Sequence, residues 1–143
     1  MRFEQTIDID RSPEDVFAYM TDTTKLSSWQ PTTVDVLRDR EGPLVLGERF
    51  REVHAAFGRR LQSTVEVARY DAPKAFALRI LDGPLPLDGS WTLEGSSGST
   101  RLHFVGEGSL SGPMRVLDGL VTRSLAKRFL GYHELLKAAV EAG

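Results

Sequence analysis

The sequence contains no cysteine. That excludes a disulfide frame, a thiolate nucleophile and any cysteine-based metal site. No apolar run approaches the ~20 residues that a membrane-spanning helix needs, and the opening Met1-Arg2-Phe3-Glu4-Gln5 lacks the apolar centre of a signal peptide. A cytoplasmic protein without stable membrane insertion is therefore expected. Charge of one sign is scarce as well. The formal net charge is −2 over 143 residues, acids and bases are interspersed, and Arg59-Arg60 is too short a run for a nucleic-acid footprint. His54, His103 and His133 show no metal-ligand spacing, and no glycine-rich loop leads from a strand into a helix with a phosphate-binding lysine. The serines of Gly95-Ser96-Ser97-Gly98-Ser99 suit a turn and do not form a nucleophile elbow. No metal, cofactor or catalytic triad is expected.

What is present is organised around the C-terminal stretch Pro113 to Glu141. Met114, Leu117, Val121, Leu125, Phe129, Tyr132, Leu136 and Val140 recur at spacings of three and four, one face of a 3.6-residue helix. The opposite face carries Arg115, Arg123, Lys127, Glu134, Lys137 and Glu141, and Gly112-Pro113 is a start signal. A helix of that length runs about 43 Å. Only a sheet of long strands can cover so long a stripe.

The upstream sequence supplies strands. Phe3, Gln5, Ile7 and Ile9 alternate with polar residues as a half-buried first strand. Ser12-Pro13-Glu14-Asp15 opens a helix with Val16, Phe17 and Met20 on its apolar face. Asp22 caps a very short second helix, Thr23 to Ser28, with Trp29 at its end and Pro31 stopping it. Six strands follow: Thr33–Arg38, Gly47–Phe57, Arg60–Tyr70, Ala75–Leu81, Leu87–Glu94 and Thr100–Glu107. Short connections make them antiparallel. The order strand, two helices, six strands, long helix predicts a single α+β domain over 1–143 with the helix on one sheet face. Leu61, Val65, Val67, Phe76, Leu78, Ile80, Trp91, Leu93, Leu102 and Phe104 are expected to point at that helix.

Several local patterns resemble the START-like, or SRPBCC, superfamily in its polyketide cyclase/dehydrase-like branch. They are Ser12-Pro13-Glu14-Asp15-Val16-Phe17, Trp29-Gln30-Pro31, Gly47-Glu48-Arg49-Phe50, Tyr70-Asp71-Ala72-Pro73 and Gly98-Ser99-Thr100-Arg101-Leu102, in that order along the whole chain. The resemblance implies a helix-grip fold, a curved seven-stranded antiparallel sheet wrapped around the long helix with an apolar cavity between them. It also implies binding of lipids, polyketides or other hydrophobic small molecules, with enzymes a minority of members.

The wall of such a cavity is expected from Trp29, Phe50, Ser63, Phe76, Leu78, Trp91, Phe104, Leu117, Val121 and Leu125. Gly119 and Gly131 within the helix fit either a close approach or tight packing, and Leu85 fits a cavity lip or a stray surface leucine. Glu52 and His54 are the best chemical candidates. Their i, i+2 spacing puts them on one strand face with Phe50 and Ala56, where a carboxylate can orient an imidazole for acid–base work. The opposite register would turn Arg49, Arg51, Val53, Ala55 and Phe57 inward. Ser63 suits a ligand hydrogen bond or a bond to local backbone, and Tyr132 a core position. His103 and Arg79, out of phase with their apolar neighbours, belong on the surface. Three roles stay open: a carrier or sensor of a hydrophobic small molecule, a polyketide cyclase/dehydratase, and a co-chaperone-like interaction module. A homodimer through an edge strand is likewise left open.

Overall fold

Alternation in the first strand sets the geometry of everything laid against it. In the computed structural model, which describes all residues except Leu85 and Pro86, β1 (Arg2–Ile9) buries Phe3 and Ile9, half-buries Gln5 and Ile7, and leaves the intervening residues exposed. Ser12 then caps α1 (Pro13–Met20), its Oγ accepting from the Asp15 N–H at 3.2 Å. Asp22 caps a single 3-10 turn, Thr23–Lys25, which runs into α2 (Leu26–Trp29). Six strands follow: β2 (Thr33–Leu37), β3 (Arg49–Ala56), β4 (Arg59–Asp71), β5 (Ala75–Asp82), β6 (Leu87–Ser96) and β7 (Ser99–Gly108). The sheet is antiparallel with spatial order β1-β7-β6-β5-β4-β3-β2. Register shifts in the β2–β3 and β4–β5 pairings are the bulges that bend it.

The C-terminal segment differs from its sequence pattern at one end. Gly112–Leu117 is a 3-10 turn, and the α-helix proper, α3, spans Asp118–Ala142. Met114 and Leu117 were expected on the buried stripe, yet both are exposed. The physical reason is reach. The 3-10 turn breaks the α-helical phase, and the stripe meets the core from Val121, half-buried, and then through the buried Leu125, Tyr132, Leu136 and Val140. α3 lies along β1: Lys137 Nζ donates to the Asp8 carbonyl at 2.8 Å, and Glu141 accepts from the Asp10 N–H at 2.8 Å. The N-terminal ammonium sits 3.2 Å from Asp118. With these ties the helix-grip arrangement is in place. Leu85, considered above as a cavity lip, lies outside the described residues.

Aromatic rings fill the grip at this side of the sheet. Gly89 and Gly106 are paired directly across β6 and β7. A Cβ at Gly106 would stand 2.7 Å from the Phe3 ring, and one at Gly89 would stand 3.0 Å from Trp91. The two glycines are thus a slot that lets the rings lie on bare backbone. Phe104 stacks on Phe129 at 4.9 Å and meets Trp91 at 4.8 Å. Gly131 of α3 is the opposite case, with open space where a side chain would stand. Gly106→Ala should therefore cost about 1–3 kcal/mol by overpacking, while Gly131→Ala should add up to about 1 kcal/mol of helix stability. Urea unfolding of both variants measures the contrast.

Candidate functional site on the concave face of β3 and β4

The β3–β4 register places Phe50 opposite Val65, Glu52 opposite Ser63 and His54 opposite Leu61. All six belong to the face that curves toward α3, while Arg49, Arg51 and Ala55 are exposed on the other. Of the two registers open to this strand, the one with Glu52 and His54 inward is the one adopted. From the far side β2 contributes Val36 opposite Glu52 and Thr33 opposite His54. The backbone at Gly83 closes over Ser63, so near that a Cβ there would come within 2.6 Å of Ser63 Oγ.

Glu52 is a carboxyl set among apolar neighbours. Its one ionic partner among the described residues is His54, with Nε2 3.5 Å from Oε2. The Thr33 hydroxyl lies 3.4 Å from His54 Nδ1, placed to orient the ring. Burial pushes Glu52 up to about 7, and burial also lowers His54. The pair is not sealed, because the Glu52 side chain keeps 10% of its accessible surface and that of His54 keeps 25%. Near neutral pH the carboxyl is thus available both as a proton donor and as an acceptor. It can hydrogen-bond a ligand carbonyl in one state and a ligand hydroxyl in the other.

The residues expected as a cavity wall divide into two groups. Trp29, Phe76, Trp91 and Phe104 are in ring contact with one another or with Phe17, Tyr70, Phe129 and His133, and form closed aromatic core. Phe50, Ser63, Val121 and Leu125 are the nominated residues outside that aromatic cluster, with Leu117 exposed in the turn before α3. Leu78 borders a hollow of about 330 Å³ on the convex side of the sheet with Ala77, Arg79 and Val105. A larger open groove, about 660 Å³, runs along the outer face of α3 between Pro31, Lys127, Gly131 and Leu135. Among the described residues no group of three acids or histidines could hold a metal ion. No helix among them is long and apolar enough to cross a membrane.

His133 has a different task from His54. It is fully buried, its Nε2 accepts from Trp91 Nε1–H at 3.1 Å, and its Nδ1–H donates to Gln5 Oε1 at 3.0 Å. Gln5 Nε2 in turn donates to the Ala126 carbonyl. Burial lowers His133 to about 4, so the ring is neutral and the chain of bonds is satisfied from sheet to helix. Sequence reasoning had no role for Gln5 or His133. The available signal was Gln5 itself, a polar residue on the apolar phase of β1. Tyr132, expected in the core, is buried there with its hydroxyl 2.6 Å from that of Thr32. His103 and Arg79 sit on the outer face, His103 beside Thr6 and Glu4, Arg79 beside Glu66.

The family model described as polyketide cyclase / dehydrase and lipid transport matches residues 1–141, and the chain belongs to that family. Among solved structures, TTHA0849 from Thermus thermophilus superposes with a TM-score of 0.80 at 20% identity, covering 99% of this chain and 98% of that one. The Zhui aromatase/cyclase from Streptomyces sp. R1128 gives 0.77 at 16% identity, covering 99% and 93%. The di-domain aromatase/cyclase BexL of the BE-7585A biosynthetic pathway gives 0.77 at 19% identity, covering 99% of this chain and 46% of that one. At these identities they share its fold. No curated protein matches the sequence.

The two buried titrating groups pull stability in opposite directions. Glu52 is raised from 4.5 to about 7, so its contribution is full below pH 4.5 and lost as pH rises through 7. His133 is lowered from 6.5 to about 4, so its contribution is full above pH 6.5 and lost as pH falls toward 4. Each is worth on the order of 3 kcal/mol. Wild-type stability should thus vary little between pH 4.5 and 7. Glu52→Gln, measured by urea unfolding across that range, should gain on wild type as pH rises and expose the acid-side loss caused by His133.

Proposed function

We propose that this chain binds a hydrophobic small molecule, a lipid or a polyketide, against the concave face of β3 and β4 beside the first half of α3, acting as one domain over its length. The observation that carries this is the Glu52 carboxyl: an acid on an apolar inward face, short of partners, and still reachable. A buried carboxyl held by one long contact costs stability, and a ligand hydroxyl or carbonyl would supply the missing hydrogen bond. Mostly apolar walls with one or two polar groups are the usual composition of small-molecule sites. Phe50, Ser63, Val121 and Leu125 would supply the wall, with Leu117 at its rim. Membership of a family described by polyketide cyclases, dehydrases and lipid transport supports the same class of ligand.

A second reading, an enzyme of the cyclase/dehydratase type, is favoured by the Glu52–His54 pair specifically. A carboxyl raised to about 7 beside a neutral imidazole can take a proton from carbon or oxygen and return one to a leaving hydroxyl. The rest of such catalysis is positioning of a flexible chain, which the apolar wall would provide.

Native mass spectrometry of the purified protein, with thermal shifts against fatty acids and aromatic polyketides, tests the binding. A ligand at a hundredfold excess over its Kd should raise Tm by roughly 5–10 °C. Leu61→Trp, which enlarges the side chain paired with His54, should abolish the shift. No co-purifying mass and no shift across the panel would remove the carrier reading. For the enzyme, Glu52→Gln should slow cyclisation of a poly-β-ketone by about 10²–10⁴-fold while the ligand still binds; equal rates would leave binding alone.

A further inference from the structure

The hairpin joining β3 to β4 is two residues long, Phe57-Gly58, and both have positive φ, +53° and +69°. Two left-handed residues in succession make the mirror-image turn that matches strand twist, and asparagine, aspartate or glycine fit its first position. Phenylalanine there is strained by its own Cβ. Packing does not compensate, because the Phe57 side chain is 97% exposed. Neither the turn nor the core explains this residue.

Antiparallel order places the ends of β3, β5 and β7 on one side of the sheet. The segment after β7 therefore emerges at the same end as the Phe57 turn. It shows the same composition: Met114, Val116 (87% exposed), Leu117 and Leu120 are apolar and open to solvent, with Arg115 among them. Arg59 and Arg60 follow Phe57, and Arg123 follows Leu120 one turn later. None of these four arginines makes an ion pair among the described residues, whereas acids near this end are engaged: Glu107 with Arg2, Asp118 with the N-terminal ammonium. Asp82 and Asp88 at this end make no ion pair among the described residues, and the four free arginines outnumber them.

We propose that this end of the molecule docks on an anionic lipid bilayer, Phe57 and the 114–120 apolar residues entering the acyl boundary and the four arginines meeting headgroup charge. Apolar residues alone would suit a second copy of the chain equally well. Unpaired arginines beside both apolar tips favour the anionic surface, since two copies would bring like charges together. The inference does not depend on what fills the concave face.

Co-sedimentation with vesicles of phosphatidylcholine alone, and of phosphatidylcholine with one third phosphatidylglycerol, tests it. Wild type should bind the anionic vesicles and be released by high salt, with little binding to neutral ones. Phe57→Asn keeps or improves the turn, so it should fold at least as well by thermal unfolding and still bind about tenfold more weakly. Arg59→Gln with Arg60→Gln should weaken binding to anionic vesicles by a similar factor. Equal binding to both vesicle types, no binding to either, or unchanged binding by Phe57→Asn would overturn the proposal. So would light scattering that shows these residues holding a dimer.

Discussion

The structure depends on how the long helix is attached to one side of its sheet. Trp91, His133 and Gln5 form a continuous line of hydrogen bonds from β6 through α3 to β1, ending on the Ala126 carbonyl of the helix itself. Both rings in that line are buried, so an unmade bond there would cost more than the bond contributes when made. The Phe3–Phe104–Phe129 stack fills the space beneath it. Together they hold the helix from about Ala126 onward, while its first two turns are tied by the Asp118–ammonium pair and by the packing of Val121 and Leu125 on the core.

That one-sided attachment separates two environments on the same concave surface. Toward β1, β6 and β7, rings meet rings and the paired glycines Gly89 and Gly106 remove the side chains that would keep them apart. Toward β3 and β4 the inward residues change character: Glu52, His54 and Ser63 stand among Phe50, Leu61 and Val65. The raised Glu52 carboxyl follows from this neighbourhood, since burial among apolar groups with one distant imidazole leaves nothing to stabilise the charged form. His133 is equally buried and shifts the other way because burial disfavours its cation. The same physics gives one group that can exchange a proton and one that holds the core together.

Much of this was legible in the chain. Period-2 alternation located the strands, and the i, i+2 spacing of Glu52 and His54 put them on one face whichever register held. The choice of face rested on the awkwardness of burying Arg49, Arg51 and Phe57, and all three are exposed. Less visible were the limits of the helix stripe. Met114, Leu117 and Leu125 follow one spacing in sequence, but the 3-10 turn and the reach of the sheet leave the first two in solvent. Trp29, Phe76, Trp91 and Phe104 were legible as apolar and inward; that their rings close on one another is a matter of distances no spacing contains.

The sequence alone determined the element order, the inward-facing residues of most strands and the family to which they point, because those follow from local periodicity and turn chemistry. Tertiary structure alone decided that Gly89 and Gly106 lie side by side, that Gln5 finds His133, and that Glu52 is left with His54 for company. Each of these joins residues distant in sequence, and hydrogen-bond satisfaction, ring packing and desolvation all depend on which atoms finally meet.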